Sequence, residues 1–141
     1  MKPIGEKLRR FLDSERQRIL SSCTACGKCY EVCPMPEYIE QKDGRTPAQI
    51  TAGVLGLLRD GSAEGTALDW VKVCMRTGCC VPACPENVNP KMMLRLGKMI
   101  ALGGLGGEKL IASKEDRDYF PRIRAFAELQ LSPAEVKEWL E

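Results

Sequence analysis

The sequence predicts an all-α fold, and three observations support this prediction. Apolar residues recur at intervals of three and four in several segments, which is the period of an amphipathic helix. Residue pairs that cap and open helices stand at the start of several such segments. No useful length of the chain alternates apolar and polar residues as a half-buried strand does. The 141 residues have room for one small domain.

The predicted helices follow one another along the chain. The first is an amphipathic helix of about four turns. Its apolar residues are Ile4, Leu8, Phe11, Leu12, Ile19 and Leu20. In the second helix, Thr46 is the N-cap, Pro47 stands in the first turn and Gly61 ends the element. A short helix over residues 67–73 follows, and we expect its Trp70 to pack in the core.

A further helix is predicted after Asn89 and Pro90, which are typical of a cap and a first turn. Its apolar stripe consists of Met92, Met93, Leu96, Met99 and Ile100. The glycines of residues 97–107 indicate a flexible break rather than a phosphate-binding loop, because no strand precedes them and no Lys-Ser/Thr pair follows. We therefore expect a helical domain over residues 1–102 and a helical tail over residues 103–141.

Two helices are predicted in the tail. One runs over residues 113–130 and is interrupted near Pro121. The other begins with a capping box, in which Ser132 caps, Pro133 opens the helix and Glu135 bonds back. The tail is rich in apolar side chains, namely Tyr119, Phe120, Ile123, Phe126, Leu129, Leu131, Val136, Trp139 and Leu140. These side chains could pack on the core or dock on a partner subunit.

Charge and composition exclude several classes of function. The 21 Lys and Arg residues against 19 Asp and Glu give a net charge of +2, without the basic excess typical of nucleic-acid binding. No stretch approaches the roughly 18 apolar residues of a membrane span. The N-terminal segment lacks the apolar core of a signal peptide, so we expect a cytoplasmic protein. With no histidine, Ser-His, Cys-His and His-metal chemistry are excluded.

Four of the eight cysteines form a motif with the spacing C-x2-C-x2-C-x3-C-P. Its residues are Cys23, Cys26, Cys29, Cys33 and Pro34. This is the spacing of bacterial 4Fe-4S ferredoxins, in which three thiolates on a tight loop bond three irons and the fourth cysteine reaches another cluster. The small residues Ala25 and Gly27 allow backbone N–H groups to approach the cluster sulfides. The motif therefore predicts iron–sulfur cluster binding.

The second group of cysteines repeats this motif incompletely. It consists of Cys74, Cys79, Cys80 and Cys84, followed by Pro85. Thr77 stands where the second cysteine of C-x2-C-x2-C would be. Either Cys79 is the fourth thiolate of a 4Fe-4S cluster, or three thiolates hold a 3Fe-4S cluster and Cys79 is spare. A spare thiol beside a cluster is prone to oxidation, which favours Cys79 as a ligand.

Two other uses of eight cysteines fit the sequence less well. Disulfide frameworks belong to short secreted chains, and no export signal is seen here. Zinc sites share the C-x2-C element, but C-x2-C-x2-C is too crowded for one tetrahedral ion held by separate knuckles. Iron–sulfur binding remains the prediction.

The paired C-P motifs, about 50 residues apart and joined by helices, resemble the α-helical ferredoxin fold. That fold occurs in the C-subunit of heterodisulfide reductase and in the C-terminal half of the iron–sulfur subunits of succinate dehydrogenase and fumarate reductase. The resemblance covers residues 15–102 and implies that the fourth cysteine of each motif crosses over. It implies one cluster held by Cys23, Cys26, Cys29 and Cys84, and another held by Cys33, Cys74 and Cys80 with Cys79 as the candidate fourth ligand.

Two features discriminate between these relatives. The C-x5-C spacing from Cys74 to Cys80 is similar to the three-iron motif of succinate dehydrogenase, but the 2Fe-2S domain that precedes it in that subunit is absent from these residues. The length instead resembles that of a stand-alone heterodisulfide reductase C-like subunit, including the versions found in sulfur-oxidising complexes.

The resemblance implies a non-catalytic electron-transfer subunit with two 4Fe-4S clusters, or with a 3Fe-4S cluster at the second site. It would relay electrons between a flavin or iron–sulfur subunit and a disulfide-handling subunit with CCG domains. The alternatives are an iron–sulfur subunit of a succinate dehydrogenase-like complex, a redox-sensing iron–sulfur protein, and an enzyme with Cys79 as a redox-active thiol. No base or substrate pocket in the sequence supports the enzyme.

Overall fold

The computed structural model describes residues 5–111 and 119–140, and this part of the chain contains seven α-helices, one 3-10 helix and no strand. The predicted all-α fold is confirmed. The α-helices are α1 (Glu6–Ser22), α2 (Lys28–Glu31), α3 (Pro47–Asp60), α4 (Gly65–Val73), α5 (Pro90–Ala101), α6 (Tyr119–Gln130) and α7 (Pro133–Leu140), and the 3-10 helix spans Met35–Tyr38. None of the helices in the described ranges has the length and apolar character needed to span a membrane.

The centre of the core lies among α3, α4 and α5, each of which contacts the other two. Their fully buried side chains include Val54, Leu57, Trp70, Val71 and Leu96. The helix α1 contacts α3 and α5 and contributes Leu12 and Ile19 to the same core. The helices before and after each cysteine motif are thus held in one packed unit.

The predicted starts of α3 and α5 are confirmed. Thr46 and Gln49 form a capping box, in which the Gln49 N–H donates to Thr46 Oγ1 at 3.2 Å and the Thr46 N–H donates to Gln49 Oε1 at 2.9 Å. Gly61 ends α3 in the left-handed conformation, at φ +75°. The Asn89 side chain accepts from the Met92 N–H at 3.2 Å and caps α5.

The first helix differs from the prediction in how much of its apolar face is covered. Ile4 lies outside the described residues. Leu8 and Phe11 are 47% and 51% exposed, whereas Leu12 and Ile19 are buried. The apolar stripe is therefore packed on the core only toward the C-terminal part of the helix.

The glycine-rich break begins later than predicted. Gly97 lies inside α5, where a Cβ would stand 3.4 Å from side-chain carbons of Leu57 and Val71. The prediction of a break at this residue was wrong, because an isolated glycine is tolerated in a helix where neighbouring helices pack closely. The break follows α5, in turns that contain Gly103 at φ +76° and Gly106 at φ +94°.

The C-terminal part contains α6 and α7, which contact each other. Pro121 lies in the first turn of α6, where no intrahelical N–H bond is needed. The part of the predicted helix before Tyr119 lies outside the described residues, so the interruption near Pro121 stays a prediction. The capping box of α7 is confirmed, with the Ser132 N–H donating to the Glu135 carboxylate at 2.7 Å. Residues 112–118 and the side chains of Tyr119, Phe120, Trp139 and Leu140 lie outside the described part.

Candidate iron–sulfur sites

The first cysteine loop opens on a cavity bordered by the beginnings of α3 and α5. The cavity has about 320 Å³ of empty space, including the part that opens to solvent. Its lining contains the thiol-bearing residues Cys23, Cys26, Cys29 and Cys84. Three cysteines of the first motif therefore share one cavity with the last cysteine of the second motif.

Helix ends and two left-handed residues position the first loop. Cys23 is the C-cap of α1, and its N–H donates to the Ile19 carbonyl at 2.9 Å. Ala25 at φ +56° and Gly27 at φ +80° then turn the chain. A Cβ on Gly27 would stand 2.6 Å from backbone atoms of Pro47 and Ala48, so the loop lies directly against the N-terminus of α3.

Hydrogen bonds reach the sulfur atoms around this cavity. The Ala25 N–H donates to Cys23 Sγ at 3.5 Å, and the Val88 N–H donates to Cys84 Sγ at 3.3 Å. Thr51 Oγ1 lies 3.9 Å from Cys29 Sγ. The two N–H bonds favour the thiolate form that binds a metal, and they tune the potential of a bound cluster.

Cys33 belongs to a different group. The indole Nε1 of Trp70 donates to Cys33 Sγ at 3.5 Å, and Trp70 lies one turn before Cys74 in α4. Burial, and after it the nearby charge of Cys33, raises the pKa of both Cys74 and Cys80. The structure thus brings the last cysteine of the first motif to two cysteines of the second.

The buried thiols need a positive partner to ionise. Burial raises the pKa of Cys29 to about 11 and that of Cys80 to about 12. Burial also raises the pKa of Cys23 and Cys74. Without a metal these groups hold their protons at neutral pH, and iron would displace the protons on binding. The donor set therefore fits iron–sulfur clusters, which thiolates bind.

Neither a disulfide nor a single-ion site describes these cysteines. All eight lie in the described part of the chain, and none of them is paired with another. Over residues 5–111 and 119–140, no three histidine, cysteine, aspartate or glutamate side chains form a group that could hold one metal ion. The thiols of the first group stand around a cavity instead, as ligands of different irons in one cluster do.

Cys79 lies at the surface, unlike its neighbour Cys80, which is buried. The Cys79 N–H donates to Thr77 Oγ1 at 3.4 Å. Of the eight cysteines named from the sequence, seven thus fall into the two groups described above, and Cys79 is placed in neither.

Two residues beside the sulfur atoms were missed as site residues in the sequence. Trp70 packs in the core as predicted, but its role as a hydrogen-bond donor to Cys33 was not foreseen. The proximity of Thr51 to Cys29 was also missed. A tryptophan one turn before a motif cysteine is a usable signal, whereas nothing in the sequence marks Thr51.

Comparison with known protein families agrees with this chemistry. Residues 17–35, which include the whole first motif, match the family described as Fer4, the 4Fe-4S binding domain. No curated protein and no solved structure matches the chain significantly. The chain therefore contains a 4Fe-4S binding domain, which supports an iron–sulfur protein with a role in electron transfer.

Proposed function

We propose that this protein is an electron-transfer subunit with two iron–sulfur clusters that acts in a heterodisulfide reductase-like complex. The observation that carries the proposal is the exchange of cysteines between the motifs. Cys84 lines the cavity of the first motif, and Cys33 lies with Cys74 and Cys80 of the second. Such an exchange suits two clusters side by side, each completed by the other motif.

The proposed ligand sets combine both motifs. The first cluster is held by Cys23, Cys26, Cys29 and Cys84, and the second by Cys33, Cys74 and Cys80, with Cys79 as the candidate fourth ligand. When bound, the clusters supply one-electron redox chemistry at a potential set by cluster type, hydrogen bonding and exposure.

The remaining residues of the site shelter and connect the two groups of thiols. Trp70 and Met93 are buried beside them, and both belong to the core formed by α3, α4 and α5. Cys29, from the first group, lies near enough to Cys80, from the second, to help burial raise the pKa of Cys80. This proximity supports passage of an electron from one group to the other, because the two groups are then neighbours.

Exposed apolar side chains beside the cysteines support docking of partner subunits. Val32 precedes Cys33 and is 47% exposed, and Val81 follows Cys80 and is 37% exposed. Cys33 and Cys80 both belong to the second group, so a partner that covers these valines would approach the second cluster. By resemblance, the proposed partners are a flavin or iron–sulfur subunit and a subunit with CCG domains.

Iron and sulfide analysis with EPR, on protein purified without oxygen, tests the proposal. We expect two distinct EPR signals, one from each cluster. Cys84→Ser should alter the same signal as Cys26→Ser, although residue 84 belongs to the other motif. Cys33→Ser should alter the other signal, the one that Cys74→Ser also alters.

These two pairs of variants test whether each motif supplies a ligand to the cluster of the other. If Cys84→Ser alters the signal that Cys74→Ser alters, and leaves that of Cys26→Ser intact, the motifs bind their clusters independently. A wild-type protein with a single labile cluster would replace the relay with the redox-sensing alternative.

A further inference from the structure

The two cysteine motifs share backbone features at matched positions, which lie 51 residues apart. Cys23 and Cys74 are both C-caps, of α1 and α4. Ala25 and Arg76, the third residues of the loops, both have left-handed backbones, at φ +56° and +59°. The N–H groups of these two residues bond to the cysteine sulfurs two positions earlier. Left-handed non-glycine residues are uncommon, so this agreement is specific.

The agreement extends along both loops. Gly27 and Gly78, the fifth residues, both have φ of +80°. Cys33 and Cys84 both donate their N–H to the carbonyl three residues earlier, at 3.2 and 3.4 Å. The two loops therefore repeat the same left-handed turns at matched positions, although residues 28–31 form α2 whereas residues 79–83 form turns.

The repeat gives each residue of the second loop a counterpart in the first. The counterpart of the ligand Cys26 is Thr77, whereas the counterpart of Cys79 is Lys28. Lys28 and Cys79 are both exposed, and the cysteine that follows each of them is buried. Cys79 therefore occupies the position at which the first loop points a lysine into water.

We propose that Thr77 stands where a fourth cysteine ligand would be in the second site. Three cysteines then hold the second cluster, and Cys79 is a free surface thiol. This inference rests on the proposed function, because it presumes a cluster at both motifs. A threonine hydroxyl is a much poorer ligand than a thiolate for the irons of such clusters. One corner of the cluster is then without a protein thiolate, and a 3Fe-4S cluster is the expected form.

Single substitutions that give residue 77 or residue 26 the side chain of its counterpart in the other loop test the proposal. Wild-type protein should hold about seven irons and show an oxidised-state EPR signal from a 3Fe-4S cluster. Thr77→Cys should raise the content to about eight irons and remove that signal. The reverse substitution in the first loop, Cys26→Thr, should lower the content to about six irons and double the signal. Cys79→Ser should leave the wild-type iron content and signals unchanged.

Alkylation of the native, cluster-loaded protein gives a readout that does not depend on how the variants fold. One thiol should react rapidly with iodoacetamide in the wild type, and it should be missing in Cys79→Ser. This follows because ligand thiolates are bonded to iron whereas Cys79 is exposed.

The proposal is overturned if Cys79→Ser changes the second-site signal as strongly as Cys80→Ser does, or if Cys79 resists alkylation until the clusters are removed. Either result would leave the proposed relay intact with two 4Fe-4S clusters. Absence of iron at the second motif of the wild type would instead overturn the proposed function, and this inference with it.

Discussion

The indole of Trp70 serves both the core and the second group of cysteines. It is fully buried and meets Tyr30 edge to face, with ring centroids 5.1 Å apart. Its Nε1 donates to Cys33 Sγ at 3.5 Å. Packing of this residue could be predicted from the apolar pattern of α4. The hydrogen bond could not, because it depends on where folding places a cysteine from the other motif.

Replacement of Trp70 by Phe should lower the reduction potential of the cluster bound by Cys33. Phenylalanine keeps an aromatic ring in the core but removes the donor, and hydrogen bonds to cluster sulfur favour the more negative, reduced form. We expect a decrease on the order of 50 mV, comparable to the loss of one hydrogen bond. An EPR-monitored redox titration measures it.

The potential of the first cluster provides an internal control for Trp70→Phe, since its sulfurs have other donors. Tyr30→Phe is the matched variant, because it changes the ring partner and leaves the N–H donor in place. An unchanged second-site potential in Trp70→Phe would show that the bond at 3.5 Å does not act on the cluster.

At the scale of elements, the first loop and α3 are held together by a contact that only glycine permits. Gly27 and Gly78 have the same φ of +80°. A Cβ on Gly27 would collide with the backbone of α3, whereas a Cβ on Gly78 would meet only the Lys91 side chain, at 3.9 Å. The motif spacing predicts a tight turn in both loops, but only packing decides which glycine lies against another backbone.

This difference predicts unequal effects of the same substitution in the two loops. Gly78→Ala should cost only the strain of a left-handed alanine, about 1–2 kcal/mol of unfolding free energy. Gly27→Ala should cost more and should release the first cluster, because the loop must move away from α3. Denaturant unfolding and iron analysis measure the two effects. Equal losses in both variants would contradict the contact with α3.

The helix α1 shows what the period of apolar residues can and cannot predict about an element. The repeat of apolar residues correctly predicts the helix and the face to which Leu8 and Phe11 belong. It does not predict how far neighbouring helices extend along that face, and both side chains remain about half exposed.

For the whole molecule, the buried thiols link stability to pH when the clusters are removed. The pKa of Cys29 rises from 9.0 to about 11 and that of Cys80 from 9.0 to about 12. Below pH 9 both thiols are protonated in the folded and the unfolded chain, so their contribution to stability is fully present. Above pH 9 the unfolded chain loses these protons first, and this contribution is lost as the pH rises through 11 to 12.

Reduced apoprotein should therefore unfold at a lower urea concentration at about pH 10.5 than at about pH 8. The first pH lies above the ordinary thiol pKa and the second lies below it. Equilibrium unfolding without oxygen measures the shift. A double variant, Cys29→Ala with Cys80→Ala, should show a smaller dependence on pH and controls for other groups that titrate in this range. An equal slope in the variant would exclude the buried thiols as the cause.

The longer helices, the caps of α3, α5 and α7, and the 4Fe-4S chemistry of the first motif were determined by the sequence alone, because periodicity, capping and cysteine spacing are local along the chain. The tertiary structure decided which cysteines share a site, since Cys84 and Cys33 reach their groups only through the packing of α3, α4 and α5. The cysteine spacing already made Thr77 the counterpart of Cys26, and the tertiary structure added that the two loops agree in φ values and hydrogen bonds at matched positions. Residue types alone favoured Cys79 as the fourth ligand, because a spare thiol beside a cluster is prone to oxidation.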